Sequence, residues 1–211
     1  TDMFITPRSF NQSMGNKHER IRSFKEFSYL HPNYFTPNDD ILKMLGIDEG
    51  EKYCVMRFNA FDALHDAGRS GFSQEMKAEL VDEMERYCRV FISSEGEASE
   101  KLKKHQLTVP KSRIHDVLSF SHLLITDTQT MTTEAAILGT PVVRCNSWVG
   151  KNDMSNFGIL EDRYGMIFNF RDEKEAKKKA VEIIKNDSIK EDWKTKQEIL
   201  TGDNEDIVSE Y

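Results

Sequence analysis

Short apolar runs alternate along the chain with stretches whose apolar residues return every three or four positions. The runs YCVMRF (53–58), RVFIS (89–93), LLITD (123–127), VVRC (142–145) and MIFNF (166–170) are too short for helices and predict buried strands. Residues 107–109 predict one more short strand. Between the runs, Met76, Leu80, Met84 and Tyr87 keep helical spacing behind a Ser73 cap, and Ala176, Ala180, Ile183 and Ile184 share one face of a helix over 174–185. Residues 97–105 read as a charged, exposed helix, Ile114, Val117 and Leu118 as a small helix behind Pro110, and 156–164 as a further helix. Strands that alternate with helices and lack polar alternation predict an α/β domain with a doubly wound parallel sheet, covered on both faces.

The stretch ITDTQTMTTEAAILGTPVV (125–143) concentrates the candidate chemistry. It predicts a buried strand, a turn over 128–130, a short helix with Met131, Ala135 and Leu138 on one face, and a second buried strand after Gly139 and Pro141. The N-terminus of such a helix offers unpaired N–H groups and a positive dipole end, both suited to phosphate. Thr128 and Thr130 add hydroxyls there, and Glu134 stands about one turn in, at a distance that suits a ribose diol. Ligands of parallel sheets bind beyond the carboxyl ends of the strands, so loops 59–72, 126–130 and 146–153 are the candidates. The first is long and carries Asn59, Asp62, His65, Asp66 and Arg69, with Arg57 on the strand before it. His65 beside Asp66 is the candidate acid/base pair. In the third loop Lys151 follows Gly150, where it can approach phosphate oxygens. ITDTQT lacks the second aspartate of a DxDxT phosphatase motif, and GxGxxG, GxxxxGK[ST] and GxSxG do not occur.

Composition narrows the field. A net charge of -7 over 211 residues argues against a nucleic-acid or anionic-membrane binder, since those need a basic field. Cys54, Cys88 and Cys145 follow neither metal-ligand nor disulfide spacing, which points to a reducing, cytoplasmic setting with no metal. No signal peptide or transmembrane run is seen. Residues 1–40 look irregular but rich in aromatics, and are expected to pack on this domain or on a neighbour. Residues 41–187 are expected to form the Rossmann-like nucleotide-binding domain, and 188–211 a helix around Trp193 that frays into an acidic tail. The start at Thr1 rather than Met suggests a processed chain or a fragment.

Asp127-Thr128, Glu134-Ala135 and Leu138-Gly139 with Pro141-Val142 resemble the C-terminal nucleotide-binding domain of GT-B glycosyltransferases, and more closely the non-hydrolysing UDP-N-acetylglucosamine 2-epimerases. In those epimerases a hydroxyl residue after the strand contacts the diphosphate and a glutamate six positions later holds the ribose, as Thr128 and Glu134 are spaced. The epimerases follow the hydroxyl residue with two glycines, where this chain has Gln129 and Thr130. KHERIRSFKEFSYLHPNYFTP, RFNAFDALHDAG and TDTQTMTTEAAILGTPVVRCNSWVGK resemble an uncharacterised bacterial and archaeal GT-B-like family related to those enzymes, whose full-length members place a Rossmann-like domain ahead of this region. The resemblance implies binding of a nucleotide-diphosphate sugar, most readily a UDP-sugar, as substrate and without a cofactor. Thr128, Gln129, Thr130 and the helix amides would hold the diphosphate and Glu134 the ribose. Arg57, Asn59, His65 and Lys151 would face a missing N-terminal Rossmann-like domain, and homo-oligomers stay open. The alternatives are a polyol-phosphate transferase of similar fold, or a non-catalytic module that has lost the sugar site.

Overall fold

In a computed structural model of the protein, residues 3–10, 12–59, 70–94, 100–151 and 153–210 are described. The chain enters through two short strands, β1 (Phe4–Pro7) and β2 (His18–Ile21), paired in parallel. The opening segment is thus not irregular. Neither strand is an apolar run, and each becomes a strand only by bonding to the other. Next come α1 (Phe27–Leu30) and α2 (Asp40–Leu45), the latter ended by Gly46 in the left-handed conformation at φ 66°. Phe24, Phe27, Leu30 and Ile41 are buried in the main core, so this aromatic segment packs on the domain.

The domain proper runs β3 (Tyr53–Phe58), α3 (Gln74–Met84), β4 (Arg89–Ser94), α4 (Glu100–Lys103), α5 (Ile114–Phe120), β5 (Leu123–Thr126), α6 (Thr130–Ile137), β6 (Val142–Cys145), α7 (Ser155–Gly158), β7 (Ile167–Phe170), α8 (Glu173–Lys185), α9 (Ile189–Gly202) and α10 (Ile207–Glu210). Five strands form one parallel sheet in the order β4-β3-β5-β6-β7. β3, β5 and β6 lie inside it and are apolar because both of their faces are covered. Ser73 caps α3 by accepting from the Met76 amide at 3.1 Å, and Asp172 caps α8 through the amides of Lys174 and Glu175. The chain leaves β3 for the edge strand β4 and later returns to β3's other side as β5. The strand order therefore reverses between β3 and β5, and a crevice is expected at their carboxyl ends.

Three expectations change. Residues 107–109 form no strand. The chain touches β4 through one bridge, Ile92 to Gln106, and then runs to Pro110, which cannot donate to a ladder. The helix expected over 156–164 divides into α7 and a wider turn, Ile159–Arg163. The C-terminal tail does not fray. Trp193 is buried and donates to the Met166 carbonyl at 2.9 Å, and the tail then folds back on the entry segment. There the Glu205 amide bonds the Arg22 carbonyl, and Asp206 accepts from Asn33 and Tyr34. No described helix is long and apolar enough to cross a membrane.

Candidate functional site

β5 ends at Thr126, whose hydroxyl fixes the turn that follows. It donates to the Arg57 carbonyl at 2.9 Å, accepts from the Thr128 amide at 3.0 Å and meets the Thr128 hydroxyl at 2.8 Å. Thr128 is therefore turned back toward the strand. Gln129, which precedes α6, makes no side-chain cap, so the first-turn amides of Thr130, Met131 and Thr132 have no acceptor outside the helix among the described residues. They form an open donor cluster at the sheet's carboxyl edge, beside the reversal between β3 and β5.

Asp127 joins the loops around this edge. It is fully buried, its Oδ1 accepts the Asn59 amide at 2.7 Å, and its backbone carbonyl accepts from the Asn146 side chain at 3.0 Å. Among the described residues its Oδ2 has no hydrogen-bond partner, and a Cβ added to Gly71 would lie 2.2 Å from it, so only glycine lets that loop pass. Burial pushes the Asp127 carboxyl up to about 6, against the pull of the Asn59 amide and of Lys77. A second tie joins Ser70 and Ser147 through two hydrogen bonds. Behind these loops the fully buried Arg144 grips both carboxylate oxygens of Asp153, at 2.7 and 2.9 Å, bonds Asn169, and lies 3.7 Å from the centre of the Phe157 ring.

Two clefts flank the start of α6. The first, about 430 Å³, lies between the entry segment and the helix, with Phe10, Phe24, Glu26, Thr130, Thr133 and Asn156 among its walls. The second, about 520 Å³, lies over β4 and is lined by Arg57, Val109, Pro110, Lys111, Ile114 and Met131. Successive helical residues turn by about 100°. Glu134 consequently falls between the face of Thr130 and Thr133, which looks into the first cleft, and that of Met131, which looks into the second.

Glu134 is only 9% exposed. Its Oε1 accepts from the Tyr29 hydroxyl at 2.9 Å and faces His115 Nε2 at 3.2 Å. Burial raises its pKa, but the bonds to His115 and Tyr29 outweigh that and hold the carboxyl below its ordinary value. The other oxygen makes no hydrogen bond among the described residues, so one acceptor stays available. Gln129 and Thr130 border the first cleft. Arg57 lines the second and donates to the Ser93 hydroxyl at 2.9 Å, while Asn59 serves through its backbone amide. Lys151 is exposed and lines neither cleft. Asp62, His65, Asp66 and Arg69 lie outside the described residues. Among the described residues no group of three or more His, Cys, Asp or Glu side chains is placed to hold a metal ion.

Sequence reasoning missed Tyr29, His115, Asp127 as the tie between loops, and Glu26. Asp116 accepts from the Asn38 amide and from Arg113, and His115 reaches α6. A carboxylate closing an apolar strand was the one available signal for Asp127.

A family model described as "Protein of unknown function (DUF354)" matches residues 6–208. No curated protein matches the chain. Among solved structures, the glycosyltransferase WaaG, involved in lipopolysaccharide biosynthesis, superposes with a TM-score of 0.60 at 12% identity, over 90% of this chain and 54% of its own. A putative UDP-N-acetylglucosamine 2-epimerase from Listeria monocytogenes gives 0.56 at 14% identity, over 90% and 52%. The spinosyn forosaminyltransferase SpnP gives 0.56 at 11% identity, over 99% and 54%. The chain thus spans about half the length of these structures and shares the fold of the Rossmann-like domains of GT-B glycosyltransferases.

Proposed function

This chain belongs to the family of proteins of unknown function DUF354, and we propose that it is the nucleotide-binding, C-terminal half of a GT-B-type enzyme acting on a nucleotide-diphosphate sugar. The observation that carries this reading is the uncapped start of α6, which lies at the carboxyl edge of a parallel sheet, beside its strand-order reversal and between two clefts. The open amides of Thr130 to Thr132 would take the diphosphate, with the helix dipole in place of a metal ion. The second cleft, apolar at Val109, Pro110, Ile114 and Met131, would take the base. Glu134, between the clefts, would accept from a ribose hydroxyl through its available oxygen while Tyr29 and His115 hold the other. The likeness to a putative UDP-N-acetylglucosamine 2-epimerase favours UDP as the nucleotide. The parallel pair β1–β2 supports a preceding Rossmann-like domain, because parallel strands are ordinarily part of larger, covered sheets. His65 with Asp66, in the loop after β3, is the acid/base candidate for chemistry between the two halves.

Isothermal titration of the full-length polypeptide with UDP tests this reading, with AMP as control. Saturable binding of UDP is expected, weakened by about 1.5–3 kcal/mol in Glu134→Ala, the range for a hydrogen bond to a charged group. Binding that is unchanged in Glu134→Ala removes the ribose role, and silence toward UDP removes the nucleotide reading and favours a module that kept only the fold.

A further inference from the structure

The cleft between the entry segment and α6 contains a carboxylate that the folded chain leaves poorly partnered. Glu26, just before α1, has a side chain only 5% exposed, and its one ionic partner among the described residues is Lys25 at 3.7 Å, beyond hydrogen-bond range. Burial pushes its carboxyl above the usual range, its own backbone amide and Lys25 pull it back, and the charge of Glu134 raises it further. Across the cleft, Asn156 donates to the Thr133 hydroxyl at 3.2 Å, while its Oδ1 is buried with no partner among the described residues. Phe10, Phe24 and Met154 supply an apolar wall. A buried carboxylate and a buried amide oxygen are costly unless a donor reaches them.

We propose that this cleft is a carbohydrate subsite: Glu26 accepts from the hydroxyls of a sugar ring whose C–H face packs on Phe10 and Phe24. A carboxylate can accept two adjacent hydroxyls at once, as a vicinal diol presents them. The Thr130 and Thr133 hydroxyls, which both donate and accept, complete a polar side opposite the aromatic one. That division into one apolar and one acceptor-rich wall suits a polyhydroxylated ring and suits neither a flat base nor an alkyl chain. The volume of about 430 Å³ holds a monosaccharide unit with room at the mouth, where Lys25 is exposed. This inference rests on the nucleotide-sugar reading for its order of parts, with the nucleotide in the second cleft, the diphosphate at α6 and the glycosyl unit here. It adds that the sugar is read by a residue of the entry segment, outside the Rossmann-like sheet.

The test is titration of the full-length wild type, Glu26→Gln and Thr133→Val with UDP, UDP-glucose and UDP-N-acetylglucosamine. Each variant should lose about tenfold or more in affinity for at least one UDP-sugar while its affinity for UDP stays within about twofold. Equal weakening of UDP and UDP-sugars marks a structural role for Glu26 and overturns the inference, as does unchanged sugar affinity in both variants. Wild type that binds UDP but rejects both sugars also overturns it, with the nucleotide reading left standing. Wild type silent toward UDP overturns that reading and this inference with it. Agreement between the two variants, one on each side of the cleft, separates sugar contact from misfolding of either.

Discussion

Asp127 illustrates how one residue couples stability to pH at this site. Its carboxyl lies at about 6 in the fold against 3.8 for the ordinary side chain, chiefly through burial. Between those values the unfolded chain is ionised while the folded one still holds the proton. The group's contribution is therefore complete below about pH 4 and lost as pH rises through about 6. At about 1.4 kcal/mol per pKa unit the loss amounts to about 3 kcal/mol. The difference in unfolding free energy between wild type and Asp127→Asn, measured in urea at pH 4 and pH 7, should move by that order, and a flat difference would contradict the raised value. Gly71→Ala tests the same contact sterically. Its Cβ would meet Asp127 Oδ2 at 2.2 Å, so thermal unfolding should show a loss of about 1–3 kcal/mol, the usual cost of overpacking. None of this was readable from the sequence, because Asn59 and Gly71 lie far along the chain from Asp127 and meet it only when β3 and β5 pair.

Elements were legible wherever a local pattern suffices. β3, β5 and β6 follow from apolar runs, and α3 and α8 from periodic faces behind Ser73 and Asp172. β1 and β2 were not, since a half-exposed strand of four residues carries no pattern and depends on its partner. The loop after β6 owes its position to Arg144, an apparent interruption of an apolar strand that proves fully buried. Arg144→Ala should cost about 3–5 kcal/mol by leaving Asp153 unpaired. Hydrogen exchange should also rise over 146–154 in that variant, and protection equal to wild type would deny the arginine its anchoring role.

At the scale of the molecule, the two chain ends brace each other and the site between them. Arg22 and Ser23 of the entry segment bond Asp203 and Glu205, and Asn33 and Tyr34 bond Asp206. Removing residues 203–211 should raise hydrogen exchange over 22–34 and, through Tyr29, free Glu134. Unchanged protection there would mean that the core contacts of Phe24, Phe27 and Leu30 hold the segment alone. The sequence by itself determined the α/β class, the parallel sheet, the position of α6 and the place of Glu134 about one turn into it, because each rests on local periodicity or on short spacing. Only the tertiary structure decided that Thr128 turns back to Thr126, that Tyr29 and His115 occupy one oxygen of Glu134, and that Asp127 ties three loops together. The same holds for Glu26 at the wall of a cleft. These are contacts between side chains on different elements, and chain order carries no record of which buried polar groups will be left to meet.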